Sequence, residues 1–199
     1  MNKITNVFIV DDDEAVRKSL RMLLKTEGYT VATFSSAEEF LTICSQETSG
    51  CIILDVNMPE MDGPALQEEL NRRGMRLPII FLTGQGSIPI TARAFKAGAM
   101  DFLTKPIDGT ELLACVKLAL EKCAELQMNA AEFKSKAIRL ATLTDREKEI
   151  MVLIVAGHAN KEIADRLNIS SRTVENHRAY IMEKTGASNL LELLSFTSQ

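Results

Sequence analysis

The chain has 199 residues, a length that suits two domains better than one small domain or two large ones. Hydrophobic residues make up 46% and charged residues 25%, as in an ordinary globular protein, and no apolar run approaches the roughly 20 residues of a membrane span. Residues 1–124 carry 13 basic against 17 acidic residues and residues 125–199 carry ten of each, so neither half has the basic excess that would announce nucleic-acid binding on charge alone.

The opening, MNKITNVFIVDDDE, has too short an apolar run and too many acids for a secretory signal, and the expected location is the cytoplasm. Short apolar runs then alternate with amphipathic stretches. The runs are VFIV (7–10), YTVATF (29–34), CIIL (51–54), PIIFL (78–82) and MDFL (100–103). Helical patterns lie near 14–26, 37–46, 63–72 and 88–97, and a fifth helix begins near Asp108. Five such alternations predict an α/β domain, a doubly wound five-stranded parallel sheet. Gly28, Gly74 and Gly98 stand where helices should end, and Pro78 opens its strand, where a missing N–H does no harm. Cys44, Cys51, Cys115 and Cys123 form no CxxC pair and read as reduced packing residues.

From Asp108 to about Arg139 breakers are few, so the last helix of the first domain is expected to run on as a helical linker over 125–140. Beyond it the periodicity is purely helical, predicting an all-α domain over 141–199. Thr144-Asp145-Arg146-Glu147 fits a capping box, and Gly157 ends the helix it starts. Asn160 is expected to cap a second helix, KEIADRL, with Asn168 in the turn that follows. Ser170 or Ser171 caps a third, RTVENHRAYIMEK, stopped by Gly186, and a short helix covers about 189–196.

Chemistry concentrates at the strand ends of the first half. Asp11 and Asp12 follow VFIV, Asp55 follows CIIL, Thr83 follows PIIFL, and Lys105 follows MDFL with one residue between. In an open parallel sheet, ligands bind beyond the carboxyl ends of the strands at the topological switch point, so these scattered residues should converge. Three converging carboxylates repel one another unless a cation lies among them, and hard oxygen ligands suit Mg²⁺ better than Zn²⁺. With a cation there, a phosphoryl group can approach and a carboxylate can act as nucleophile, while Lys105 and the Thr83 hydroxyl neutralise and position it. That chemistry answers why CIILDVNMPEMDG runs an apolar strand straight into an acid: Asp55 is expected to be the phosphoacceptor. Taken singly, Asp11 and Asp12 suit a helix N-cap as well as a metal site, Lys105 a solvated surface and Phe102 a core. Met58 and Met61 read as packing.

Residues 1–124 resemble the receiver domain of two-component response regulators, a flavodoxin-like fold: VDDDE, LDVNMPEMDG, FLTG and FLTKP stand in that family's order and strand context. The resemblance implies that Asp11 and Asp12 are the acidic pair and Asp55 the phosphoacceptor. It implies that Asn57 offers its backbone carbonyl to Mg²⁺, that Thr83 and Lys105 are the switch hydroxyl and phosphoryl-binding lysine, and that Phe102 is the aromatic switch residue. It also implies a cis Lys105–Pro106 peptide. Ser87 stands where closer relatives often carry Asp. A phosphatase of the haloacid dehalogenase type would need an acid at Asn57, since an amide does no acid–base work. A flavin site would need a Ser/Thr/Gly-rich phosphate loop where DDDE stands.

In the second half, a helix, a short turn and another helix packed on a third suit a helix-turn-helix, whose second helix enters the DNA major groove. Val174 and Ile181, one heptad apart, face the core with Ile163, Ala164 and Leu167. Arg172, Glu175, Asn176 and Ala179 share the opposite face, where Asn can pair with adenine and Glu can accept from cytosine. Arg178 and Lys184 are candidate phosphate contacts, with Thr173 and Lys161 behind them. The alternative is a small protein-binding bundle, with His158 and His177 ordinary surface or packing residues. The stretch LTDREKEIMVLIVAGHANKEIADRLNISSRTVENHRAYIMEKTGASNLLEL resembles the LuxR-type helix-turn-helix of the FixJ/NarL class without a gap. Some members carry lysines where Glu175 and Ala179 stand, so their base contacts do not transfer.

Together the resemblances imply a phosphorylation-controlled transcriptional regulator. A histidine kinase donates the phosphoryl group, the phosphorylated chain forms a homodimer, and the dimer binds double-stranded promoter DNA. No membrane partner is expected. Nor is enzymic activity expected beyond the chain's own phosphoryl transfer and aspartyl-phosphate hydrolysis.

Overall fold

A computed structural model describes residues 6–84 and 98–197. The helical pattern near 88–97 and Ser87 lie outside the described residues. The chain divides into two compact units, Met1–Gln127 and Met128–Gln199.

In the first unit, β1 (Asn6–Val10), β2 (Thr30–Phe34), β3 (Gly50–Asp55), β4 (Ile79–Thr83) and β5 (Asp101–Thr104) form one parallel sheet in the order β2-β1-β3-β4-β5. The side-chain period of two divides each central strand between two cores. Val7 and Ile9 of β1, Cys51 and Ile53 of β3, and Ile80 and Leu82 of β4 pack on one face. There they meet Leu20 and Leu24 of α1 (Glu14–Thr26) and Leu112, Cys115 and Val116 of a long helix whose range is given below. Phe8, Val10, Ile52, Leu54 and Phe81 pack on the other, against Phe40 of α2 (Ala37–Ile43) and Leu66 and Leu70 of α3 (Gly63–Arg72). All six residues of β3 are buried, which is why its sequence shows no alternation. Each fully buried Leu or Ile there contributes about 1.5–3 kcal/mol.

Gly50 can open β3 only as glycine: its φ is +145°, and a Cβ would lie 2.0 Å from the Asn6 carbonyl oxygen. Gly28 after α1 and Gly74 after α3 have positive φ, as helix-ending residues do, and Gly98 also has positive φ. α2 is shorter than the 37–46 expected, because Cys44 is already extended (φ −89°, ψ 142°).

The long helix, α4, spans Gly109–Ala141, and the division between the two units falls within it. In the second unit it is followed by α5 (Asp145–Val155), α6 (Asn160–Leu167), α7 (Ser171–Thr185) and α8 (Leu190–Leu194). Thr144 and Glu147 form the expected capping box, and Ser170 caps α7. Asn160 does not cap α6. The N-cap is Ala159, whose N–H donates to Glu162 Oε2 at 2.9 Å. Asn160 Oδ1 accepts instead from Arg178 Nη1 at 3.2 Å, tying the two helices of the helix-turn-helix together. Ile150, Ile154, Ile163, Ala164, Val174, Ile181 and Leu193 form the core of this unit, with Leu167 partly buried against it. Among the described residues, no helix is long and apolar enough to cross a membrane.

Candidate functional site

The strand order reverses direction between β1 and β3, and the crevice there is flanked by Asp11 and Asp12 after β1 and by Asp55 at the end of β3. One carboxylate oxygen from each of these three lies within 4.8 Å of those of the others. Asp11 is fully buried and Asp55 nearly so, while Asp12 is exposed at the rim.

Capping of α1 falls to the third acid of the run, not to Asp11 or Asp12. Asp13 Oδ1 accepts from the N–H groups of Ala15 (2.7 Å) and Val16 (3.4 Å). Asp11 is fixed instead by Asp13 N–H, which donates to its Oδ1 at 2.8 Å, and by Arg17, whose Nη1 donates to its backbone carbonyl at 2.7 Å. Nothing in the sequence pattern singles out Arg17. It lies one helical turn past the N-cap, and only the folded geometry turns it back onto β1.

Lys105 reaches the crevice from β5. Its backbone N–H donates to the Thr83 carbonyl at 2.8 Å, and the Lys105–Pro106 peptide is cis. Its ammonium lies 2.9 Å from Asp11 Oδ2 and 2.9 Å from Asp55 Oδ1, so one cation bridges two of the three acids. Burial pushes the Asp55 carboxyl above its usual range. Lys105 opposes that shift, and the charges of Asp11 and Asp12 add to it. For Lys105, burial favours the neutral amine, but hydrogen bonds and charge from Asp11 and Asp55 outweigh it and the net shift is upward.

Thr83 is buried at the end of β4, and its hydroxyl donates to the Gly84 carbonyl at 2.9 Å. Phe102 is partly buried and stacks on Phe81, with ring centroids 5.0 Å apart and planes 17° from parallel. Asn57 is exposed, two residues past Asp55, on a loop that Asp62 closes by capping α3. The structure thus brings Asp11, Asp12, Asp55, Lys105 and Thr83 to one edge of the sheet, with Phe102 in the neighbouring strand.

In the helical unit, Arg172, Glu175, Asn176 and Ala179 are exposed on α7, while Val174 and Ile181 are buried. Tyr180, four residues past Asn176 and 55% exposed, joins that face, a place the i, i+4 spacing would have given it. Thr173 helps to form the start of α7, its N–H donating to Ser170 Oγ at 3.0 Å. Lys161 is exposed near the start of α6. Lys184 is engaged within its own unit. Its ammonium lies 2.7 Å from both carboxylate oxygens of buried Glu147. A lysine near the end of an exposed helix looks solvated in sequence; the acid that claims it lies 37 positions earlier.

Residues 7–117 match the family described as "Response regulator receiver domain", and residues 141–197 match "Bacterial regulatory proteins, luxR family". The chain belongs to the response regulators. It is 43% identical over 192 residues to the transcriptional regulatory protein TdiR of Thauera aromatica, covering 96% of this chain and 85% of that one. The transcriptional regulatory protein FixJ of Azorhizobium caulinodans is 42% identical over 188 residues, 94% of this chain and 89% of that one. Among solved structures, the response regulator StyR aligns with a TM-score of 0.87 at 39% identity over 98% of both chains. A receiver followed by a luxR-type domain makes this response regulator a phosphorylation-controlled, DNA-binding transcriptional regulator. The receiver implies a histidine kinase as partner, and its acidic cluster could hold a metal ion.

Proposed function

We propose that Asp55 accepts the phosphoryl group, that Asp11, Asp12, Asp55 and the backbone carbonyl of Asn57 hold Mg²⁺, and that phosphorylation governs the DNA-contacting face of α7. One observation carries the reading: acids from two strand ends meet a lysine from a third at the switch point of the sheet, with Lys105 2.9 Å from both Asp11 and Asp55. The donor set fits a hard divalent cation, because it is oxygen only and Lys105 leaves two of three negative charges unbalanced. Bound there, Mg²⁺ supplies charge neutralisation for the phosphoryl oxygens.

This chain's residues do the rest. A carboxylate oxygen of Asp55 attacks the phosphorus of a kinase phosphohistidine. An O–P bond forms as the P–N bond breaks, and the histidine nitrogen leaves with the electron pair. Lys105 exchanges its contact with Asp55 Oδ1 for a phosphoryl oxygen. The Thr83 hydroxyl turns from the Gly84 carbonyl toward the phosphate, and Phe102 rotates inward. Later hydrolysis of the aspartyl phosphate at the same site resets the switch; the chain transforms no other substrate.

Residues 1–124 are the receiver, 125–140 the helical linker and 141–199 the DNA-binding domain, working in the cytoplasm. In the phosphorylated form a surface that includes β5 and the start of α4 pairs two copies, so that two α7 helices meet a two-fold-related promoter site. Arg172, Glu175, Asn176 and Ala179 face base edges with Tyr180 beside them, and Arg178, Thr173 and Lys161 face the phosphate backbone, with Lys184 near it in its pair with Glu147. Moving the population from 1:99 to 99:1 in favour of the active state requires about 5.5 kcal/mol of preference from the phosphate.

Asp12→Ala tests the metal assignment with little disturbance to the fold, since Asp12 is exposed. Mg²⁺-dependent phosphoryl incorporation should fall to background. Undiminished incorporation would remove Asp12 from the cation's ligands.

A further inference from the structure

We propose that Arg139 fastens α4 to the C-terminal end of the recognition helix α7 and is the residue through which phosphorylation of the receiver reaches the DNA-contacting face. The proposal rests on the phosphorylation control argued above and names how that control is transmitted. α4 is one continuous helix of 33 residues, Gly109–Ala141. Its residues from Met128 onward belong to the same compact unit as α5 to α8, so the end of the helical linker packs with the DNA-binding unit.

Three contacts hold it there. Arg139 Nη1 donates to the carbonyl of Thr185, the last residue of α7, at 3.0 Å. The Lys136 ammonium lies 5.9 Å from the centre of the Phe196 ring. Leu140 packs against the core of the unit. A cavity of about 300 Å³ beside these contacts is lined by Phe133, Lys136, Ala137, Leu140, Ser195 and Phe196.

The Arg139 contact differs from the other two in what it grips. The last carbonyls of a helix have no partner within the helix and carry its negative dipole end, so a guanidinium there makes a charge-assisted bond to the helix as a body. Gly186, with φ +69°, leaves the room: a Cβ at that position would lie 3.0 Å from Arg139 Nη1 and 3.7 Å from its Cζ. Thr185 is fully buried, and its hydroxyl donates to the Ile181 carbonyl at 2.6 Å, so the gripped end is not frayed. Lys184, one residue earlier, is held by Glu147 of α5. The end of α7 is therefore attached on one side to the scaffold of its own domain and on the other to the helix that leaves the receiver. A turn of α4 about its axis pulls on Thr185 and tilts the face that carries Asn176.

Arg139 acts through α7 and is a positioning residue, so the test needs a readout that a simple brace would not move. Full-length wild type, Arg139→Met and Arg139→Lys are compared with and without phosphorylation by a small acyl phosphate. Incorporation is followed by intact mass. Affinity is measured for a duplex selected from a random-sequence pool by the phosphorylated wild-type chain. Arg139→Met should take up the phosphoryl group as wild type does, while its gain in DNA affinity on phosphorylation shrinks by about 2- to 30-fold. Arg139→Lys, which keeps a cationic donor, should retain most of the gain. If Arg139→Met weakens both forms by the same factor, or leaves both unchanged, Arg139 carries no signal and the proposal is overturned. A wild-type chain that takes up the phosphoryl group yet gains no affinity would overturn the control itself, and the role of Arg139 with it.

Discussion

Gly63 has room for a hydrogen and nothing larger. A Cβ built there would lie 2.4 Å from the Asp55 carbonyl oxygen and 2.9 Å from Cε1 of Phe81. The backbone of α3 thus packs directly on the residue proposed to carry the phosphate, which gives the final glycine of LDVNMPEMDG a physical reason. Gly63→Ala should destabilise the first unit by about 1–3 kcal/mol, as overpacking of a tight site does, read as an earlier denaturant midpoint. No shift would mean that α3 can move away freely. Lys184, a candidate phosphate contact, is paired with Glu147 in the folded chain. Because its ammonium holds Glu147, Lys184→Met should leave the salt dependence of DNA binding unchanged, whereas each lost phosphate contact lowers the slope by about 0.9. A slope reduced by that amount would restore Lys184 to the phosphate-contacting set.

At the scale of elements, Glu147 serves two helices. It closes the capping box of α5, accepting from Thr144 N–H at 2.7 Å, and it anchors α7 through Lys184. The Lys184 ammonium, helped by the Thr144 N–H, holds its carboxyl below the usual range. A depressed acid stabilises the fold fully above its unfolded pKa of about 4.3 and loses that contribution as pH falls through the folded value. Glu147→Gln should therefore cost the second unit stability at pH 7, and the difference from wild type should close in urea titrations below about pH 4. A gap that stays constant with pH would mean that the ion pair contributes nothing.

The capping box was legible from Thr144-Asp145-Arg146-Glu147 because its partners are three residues apart; the ion pair was not, because its partners are 37 apart. The same division explains the other boundaries. Strands buried on both faces announce themselves as apolar runs. Asn160 looks like a cap, yet the long-range bond from Arg178 claims it. In a run of three aspartates, only the end of β1 decides that the third is the cap, which leaves Asp11 and Asp12 for the crevice.

For the whole molecule, the candidate site was readable because a parallel sheet turns sequence into place. Acids, a threonine and a lysine that each follow an apolar run must meet at one edge, although Asp11 and Lys105 are 94 positions apart. What the sequence left open is what the end of the long helix packs on, since an uninterrupted helical pattern looks the same whatever it touches. Arg139 and Lys136 give that end its contacts with Thr185 and Phe196.

Every step proposed for the whole molecule begins with phosphoryl transfer to Asp55, helped by a divalent cation. That transfer is read from the intact mass of the full-length chain after incubation with a small acyl phosphate, with and without Mg²⁺, beside Asp55→Asn. One added phosphoryl group is expected, requiring Mg²⁺ and absent from the variant. An adduct that persists in folded Asp55→Asn, or no adduct on wild type under conditions that label a control receiver, would contradict it.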